Sequence, residues 1–226
     1  MKKFLLPILS VVLVIGMATI VWATVIGTPH ELAPEPCAMC HTPHSGTGDY
    51  PLWNRYQEDQ DYTPYESISF DMGPVDTIRN PSRLCLVCHN GVFSELVNYP
   101  GPCTNPDSAY DITVEGCANL TTDLMDDHPI SFDYDDTLDL DDNGFPQAMG
   151  QRGVEGAWTR YAIEGVSAGA LYWLYGEEGA TNWFECATCH SVHDLGIYDG
   201  KGDYQVYFLR SDNTESNMCR DCHTKR

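Results

Sequence analysis

The sequence predicts a chain that is mostly irregular coil, with short α-helices and few short strands. Three observations predict it. The 226 residues include 19 glycines and 14 prolines, and turn signals recur at Asn54, Asn80-Pro81, Pro100-Gly101-Pro102, Asp142-Asn143-Gly144 and Asp199-Gly200. The longest helical candidate, residues 160–174, has only a ragged period: Tyr161, Ile163, Val166, Ala170 and Leu174. Eight of the ten cysteines fall into four copies of C-x-x-C-H: Cys37-Ala-Met-Cys40-His41, Cys85-Leu-Val-Cys88-His89, Cys186-Ala-Thr-Cys189-His190 and Cys219-Arg-Asp-Cys222-His223. That pattern is the attachment signature of c-type haem. Two thiols at this spacing reach the two vinyl groups of one porphyrin, and the next imidazole lies under the iron as proximal ligand. Zinc sites and redox dithiols do not require a histidine directly after the second cysteine. The expected architecture is therefore coil and short helices wrapped around a chain of four c-type haems. Haem faces supply apolar surface, and many of the 13 tyrosines and 5 tryptophans are expected to pack on them.

At the N-terminus, Lys2 and Lys3 precede an apolar run over 4–23 that ends in Val21-Trp22-Ala23, a small-residue cleavage site. Residues 1–23 are read as a signal peptide and 24–226 as the mature four-haem domain. An uncleaved anchor is the alternative, since twenty apolar residues span a bilayer once; Pro7, which breaks the run early, and the small residue at the boundary favour cleavage. Twelve Lys and Arg oppose 33 Asp and Glu, a formal charge of −21, and two of the twelve cations leave with the leader. Such a balance excludes a nucleic-acid binder, which needs a basic face. Ten cysteines in an exported chain also exclude most cytosolic readings.

The motifs form two pairs. Residues 24–90 hold the first haem pair, 91–185 form a central acidic segment, and 186–226 hold the second pair. Each pair opens on a similar phrase, C-A-M-C-H-T-P-H-S at 37–45 and C-A-T-C-H-S-V-H-D at 186–194, which suggests a two-haem unit used twice. Short helices are expected on each motif, and a short strand over 204–209. Cys103 and Cys117 remain in the central segment, and an even leftover pair in an exported chain is most simply a disulfide. The bridge would close a 15-residue loop, worth about 3 kcal/mol in the chain-entropy account.

Four histidines are spare after the proximal set: His30, His44, His128 and His193. Four haems need four distal ligands, so the count closes and leaves no open coordination position. His44 and His193 each stand three residues after a proximal histidine. Three residues cannot carry the chain round the porphyrin edge, whereas i and i+3 on a helical turn share a side. His44 is therefore expected on the haem of Cys85 and Cys88, and His193 on that of Cys219 and Cys222. His30 and His128 are left for the haems of Cys37/Cys40 and Cys186/Cys189. His30 sits on an arm with three prolines (Pro29, Pro34, Pro36), which keep it extended. Seven such residues span about 23 Å, so the arm reaches either the chain's own first haem or a neighbouring subunit, and ligation of the adjacent subunit's haem is the expectation adopted.

Asp139, Asp141, Asn143 and Gly144 match the first half of an EF-hand loop, a possible Ca2+ site. The twelfth position is Gly150, so the bidentate glutamate is missing and a solvated acidic loop is the preferred reading. Asn119-Leu120-Thr121 is a glycosylation sequon.

C-A-M-C-H-T-P-H and L-C-L-V-C-H-N-G resemble the doubled units of bacterial and archaeal multihaem c-type cytochromes. Four haems, export, size and spare histidines are similar to the OmcE-like tetrahaem cytochromes, over about 30 residues, all around the motifs. That resemblance implies a protein that polymerises into extracellular nanowires with a continuous haem chain. It carries axial ligation to His41, His89, His190 and His223, and to the four spare histidines. The implied function is electron transfer without a substrate site, between redox partner proteins or extracellular acceptors, in a cell-surface filament. The alternatives are a monomeric periplasmic shuttle, a membrane-anchored tetrahaem quinol dehydrogenase, and a reductase with one five-coordinate haem.

Overall fold

The computed structural model describes residues 25, 28, 30–31, 36–46, 52–55, 60–70, 72–91, 119–134, 162–163, 171–176, 182–193 and 208–223, together with the backbone of short strands at 148–149, 154–155, 158–159, 161–164, 197–198 and 205–206. Residues 1–23, Cys103, Cys117, Asp139, Asp141 and Asn143 lie outside the described residues. Among the described residues no helix is long and apolar enough to cross a membrane.

Regular structure is short throughout. Helix α1 is Ser82–His89, α2 is Cys186–Cys189 and α3 is Asn217–Cys222, and 3-10 turns occupy Pro36–Met39 and Thr214–Ser216. The strands are β1 (Phe132–Asp133), β2 (Ala148–Met149), β3 (Val154–Glu155), β4 (Trp158–Thr159), β5 (Tyr161–Glu164), β6 (Leu171–Leu174), β7 (Trp183–Phe184), β8 (Ile197–Tyr198) and β9 (Gln205–Val206). They pair antiparallel as β2-β5-β6, β1-β7, β3-β4 and β8-β9.

The helix expected over 160–174 is instead the hairpin of β5 and β6, with Ile163 opposite Tyr172 and Ala162 opposite Trp173. Two physical terms decide it. Gly165 and Gly169 would each weaken a helix by about 1 kcal/mol relative to alanine. Leu171 to Leu174 alternates half-buried and buried positions, the period of two that a strand needs. The strand expected over 204–209 is present as β9, two residues long.

The sheet supplies one core. Met72, Phe132, Tyr134, Ile163, Tyr172, Leu174 and Phe184 pack together, and Cys189, Met218 and Cys222 lie against them. A second cluster joins Ile78, Leu86 and Leu124, with Val75 touching both. The phenyl rings of Phe132 and Phe184 stack at 5.1 Å across the β1-β7 register, and Phe70 meets Phe132 edge-on at 5.1 Å. The third and fourth C-x-x-C-H motifs are thus built directly onto the main core.

Candidate haem-binding sites

All four motifs lie on helical turns. A helical turn puts positions i, i+3 and i+4 on one side, which gathers two thiols and an imidazole wherever the helix runs through the histidine. Helix α1 does so for Cys85, Cys88 and His89. The eight motif cysteines stand as thiols rather than disulfides.

The first motif follows a 3-10 turn, where the His41 amide donates to the Cys37 carbonyl at 2.8 Å. Trp53, Asn54 and Arg55 clasp it. The Asn54 amide donates to the Cys40 carbonyl at 2.9 Å, its side-chain Nδ2 to the Ala38 carbonyl at 2.6 Å, and Arg55 Nε to the Met39 carbonyl at 2.9 Å. Asn54 and Arg55 are buried. Any side chain at Gly46 would meet the Leu52 backbone at 2.7 Å, so the loop holding His44 lies tight on this clasp. Asn54 had been legible only as a turn signal, and the role of Arg55 had no sequence signal at all.

The third motif is pinned by Arg210, whose Nε donates to the Ala187 carbonyl at 2.9 Å while its amide donates to that of Cys189 at 2.9 Å. Tyr175 adds its hydroxyl to the Ala187 carbonyl at 3.1 Å. The fourth is held from inside the core, where Tyr172 donates to Asp221 Oδ2 at 2.5 Å. Both groups are buried. Burial and then this bond raise the Tyr172 phenol well above its ordinary value.

The motifs are adjacent. The thiols of Cys85 and Cys186 are hydrogen-bonded, which together with burial raises Cys85, and Cys40 lies near enough to add to that shift. Burial pushes Cys189 up to about 12, with Cys186 and Cys219 contributing. Burial pushes Cys222 to about 12 as well, with Cys189 as the next cause. The electrostatic influence of the thiols on one another therefore links the first motif to the second, the second to the third and the third to the fourth.

Three spare histidines each face a motif histidine. Ring centroids are 6.0 Å apart for His193 and His41, 6.1 Å for His30 and His89, and 6.3 Å for His128 and His223. Those gaps are too wide for face contact between rings. They match two imidazoles on one metal: a bond of about 2.0–2.1 Å on each side, as for zinc–imidazole bonds, plus a ring radius of about 1.1 Å gives about 6.3 Å. His128 Nδ1 lies 2.9 Å from the Pro129 carbonyl. A carbonyl only accepts, so Nδ1 carries the proton and Nε2 is left with the lone pair a metal needs. Burial, then the nearness of His89 and His190, lowers His30 to about 4, which keeps it in the neutral, ligating form at neutral pH. Phe208 stacks on the His30 ring at 4.5 Å and orients it.

These couples differ from the expected pairing. His193 meets the first motif rather than the fourth, His128 the fourth rather than the first or third, and His30 the second motif of its own chain. The reason is local. Helix α2 stops at Cys189, and His190 is extended (φ −112°, ψ 142°) in a bridge to Leu209. His41 likewise sits in a bridge to Trp53. Neither +3 histidine shares a helical turn with its motif histidine, so the helical spacing assumed in the expected pairing is absent. His30 stands in a turn closed by the Glu31 amide on the Thr28 carbonyl at 3.0 Å.

Among the described residues no group of three or more His, Cys, Asp or Glu is placed to hold a metal ion. An iron in a porphyrin takes only two axial ligands from protein, so couples are the arrangement the donor set fits. No protein-family model matches the chain, and no curated protein matches it.

Proposed function

We propose that this chain is an exported tetrahaem c-type cytochrome of the OmcE-like kind, an electron carrier rather than an enzyme. The observation that carries the reading is the set of three imidazole couples at 6.0–6.3 Å, each joining a C-x-x-C-H histidine to a spare one. Haem, when bound, supplies an iron that exchanges one electron without binding substrate. The chain's part is to attach, orient and insulate it. Cys37/Cys40, Cys85/Cys88, Cys186/Cys189 and Cys219/Cys222 form the thioethers, and His41, His89, His190 and His223 ligate from the proximal side. His193, His30 and His128 close the first, second and fourth sites, and His44 with His190 the remaining one. Two imidazoles on every iron leave no position for nitrite, hydroxylamine or quinol chemistry. The contact order of the motifs favours electron passage from the first site through the second and third to the fourth. Three couples lie within one chain, and a couple drawn from two chains would give the repeating contact of a filament. A pyridine haemochrome assay with intact-mass measurement on the secreted protein tests the reading. Four haems per chain, with residues 1–23 absent, is the expected result; fewer than four sinks it.

A further inference from the structure

Glu185 directly precedes Cys186 and has no exposed surface. Its Oε2 accepts hydrogen bonds from Ser82 Oγ at 2.5 Å and Ser131 Oγ at 2.9 Å, while its buried Oε1 has no partner. Ser82 opens helix α1, which carries the second motif, and its Oγ also accepts the Cys186 amide at 2.9 Å. Ser131 Oγ accepts the Arg79 amide at 2.8 Å. One carboxyl therefore sits at the junction of the second and third motifs, where the Cys85 and Cys186 thiols meet.

A clasp alone would not need a carboxyl. A glutamine oxygen accepts the same two hydroxyls without the cost of burying a charge. An acid at this place differs from the amide in two properties: ionised, it attracts the Arg79 guanidinium, and it exchanges a proton. The charged and titratable neighbours are few. Arg79 reaches it electrostatically, with its guanidinium 4.0 Å over Trp183 and its buried Nε unpartnered. Cys186 and Cys85 lie beside it, with Asp127 acting on Cys186 from behind. Thioether formation removes both sulfurs as titratable groups, which leaves Arg79 as the nearby fixed charge. Cys186 binds through the porphyrin edge, and the nearest iron ligand in sequence is His190, five residues on.

We propose that Glu185 is the proton acceptor coupled to reduction at the second and third haem sites. This rests on the four-haem reading. One electron from a one-electron reductant converts ferric to ferrous iron; one proton from solvent converts the Glu185 carboxylate to the acid at Oε1. The local charge is then unchanged, which a buried junction favours. Independently, burial pushes this carboxyl up to about 8 while Cys186 is a free thiol, which adds a lesser upward push that the thioether removes; the Ser82 and Ser131 hydrogen bonds and Arg79 pull it down. A group poised near neutrality changes its proton occupancy when charge arrives beside it.

The test is a spectroelectrochemical titration of the haem-loaded secreted protein between about pH 6 and pH 9, wild type against Glu185→Gln. In the wild type the potentials of two haems fall as pH rises, by up to a tenfold change in equilibrium constant per pH unit, about 59 mV for one electron. In Glu185→Gln that fall is lost, and any slope from haem propionates is common to both proteins. Ser131→Ala removes a donor that favours the carboxylate, so it moves the sloping region to higher pH. Infrared redox-difference spectra of the wild type decide the matter even if the variant does not fold: a buried carboxylic-acid carbonyl band grows on reduction. Equal pH dependence in wild type and Glu185→Gln, or no such band, overturns the proposal while leaving the four-haem reading intact. Fewer than four haems in the wild type overturns that reading instead.

Discussion

A single backbone carbonyl sets the chemistry of His128. The Pro129 carbonyl accepts the Nδ1 hydrogen bond at 2.9 Å, Phe184 stacks on the ring at 5.4 Å, and the His223 ring lies 6.3 Å away, centroid to centroid. His193 has a comparable place opposite His41, although 152 positions separate the two in the chain. Replacing His193 by alanine is expected to turn one iron per chain high-spin, and that iron is the one bound at Cys37 and Cys40. Electron paramagnetic resonance of His193→Ala in a background with Cys37 and Cys40 both changed to alanine checks the assignment. No new high-spin signal should arise there, whereas one new high-spin iron would place His193 elsewhere. The attachment cysteines and proximal histidines were legible because C-x-x-C-H puts all three groups within five residues. Distal pairing was not, because it depends on contacts between distant segments and on whether a helix continues through His190. Glu185 was illegible for a different reason: its sequence signal is one acidic residue before a motif, and its burial is set by Ser82 and Ser131.

At the scale of elements, the short helices gain little from their own length, since isolated helices this short are unstable in water. They persist because each is held from outside. Helix α1 buries Ser82, Leu86 and Val87, with Leu86 fully enclosed against Ile78 and Leu124. Helix α2 is four residues long and is tied by the Glu185 amide on Thr188 Oγ1 at 2.9 Å, by Arg210 and by Tyr175. Leu86→Ala should therefore cost about 2–5 kcal/mol of stability, as other enclosed leucines do, measured by denaturant unfolding of the haem-loaded protein. A loss under about 0.5 kcal/mol, the range of surface substitutions, would mean that α1 is not held by this cluster. The hairpin of β5 and β6 shows where sequence reasoning met its limit. A short apolar run fits helix or strand, and only Gly165, Gly169 and the alternation at 171–174 argued for the strand.

For the whole molecule, the acidic balance and the order of the motifs have separate consequences. A formal charge of −21 keeps single chains apart in solution, so a filament needs a strong local contact to overcome it. The fourth couple, His44 with His190, is the contact proposed. His44→Ala is expected to abolish filaments in electron micrographs of the extracellular fraction and to leave one high-spin iron per chain. Intact filaments with every iron low-spin would remove His44 from the assembly contact.

The central claim is that each chain holds four irons, each between two imidazoles. Mössbauer spectroscopy of the oxidised, isotopically enriched secreted protein tests it most directly, because it counts every iron whether or not neighbouring spins couple. The predicted result is four irons per chain, all low-spin ferric. A high-spin component amounting to one iron per chain, or fewer than four irons in all, would contradict it.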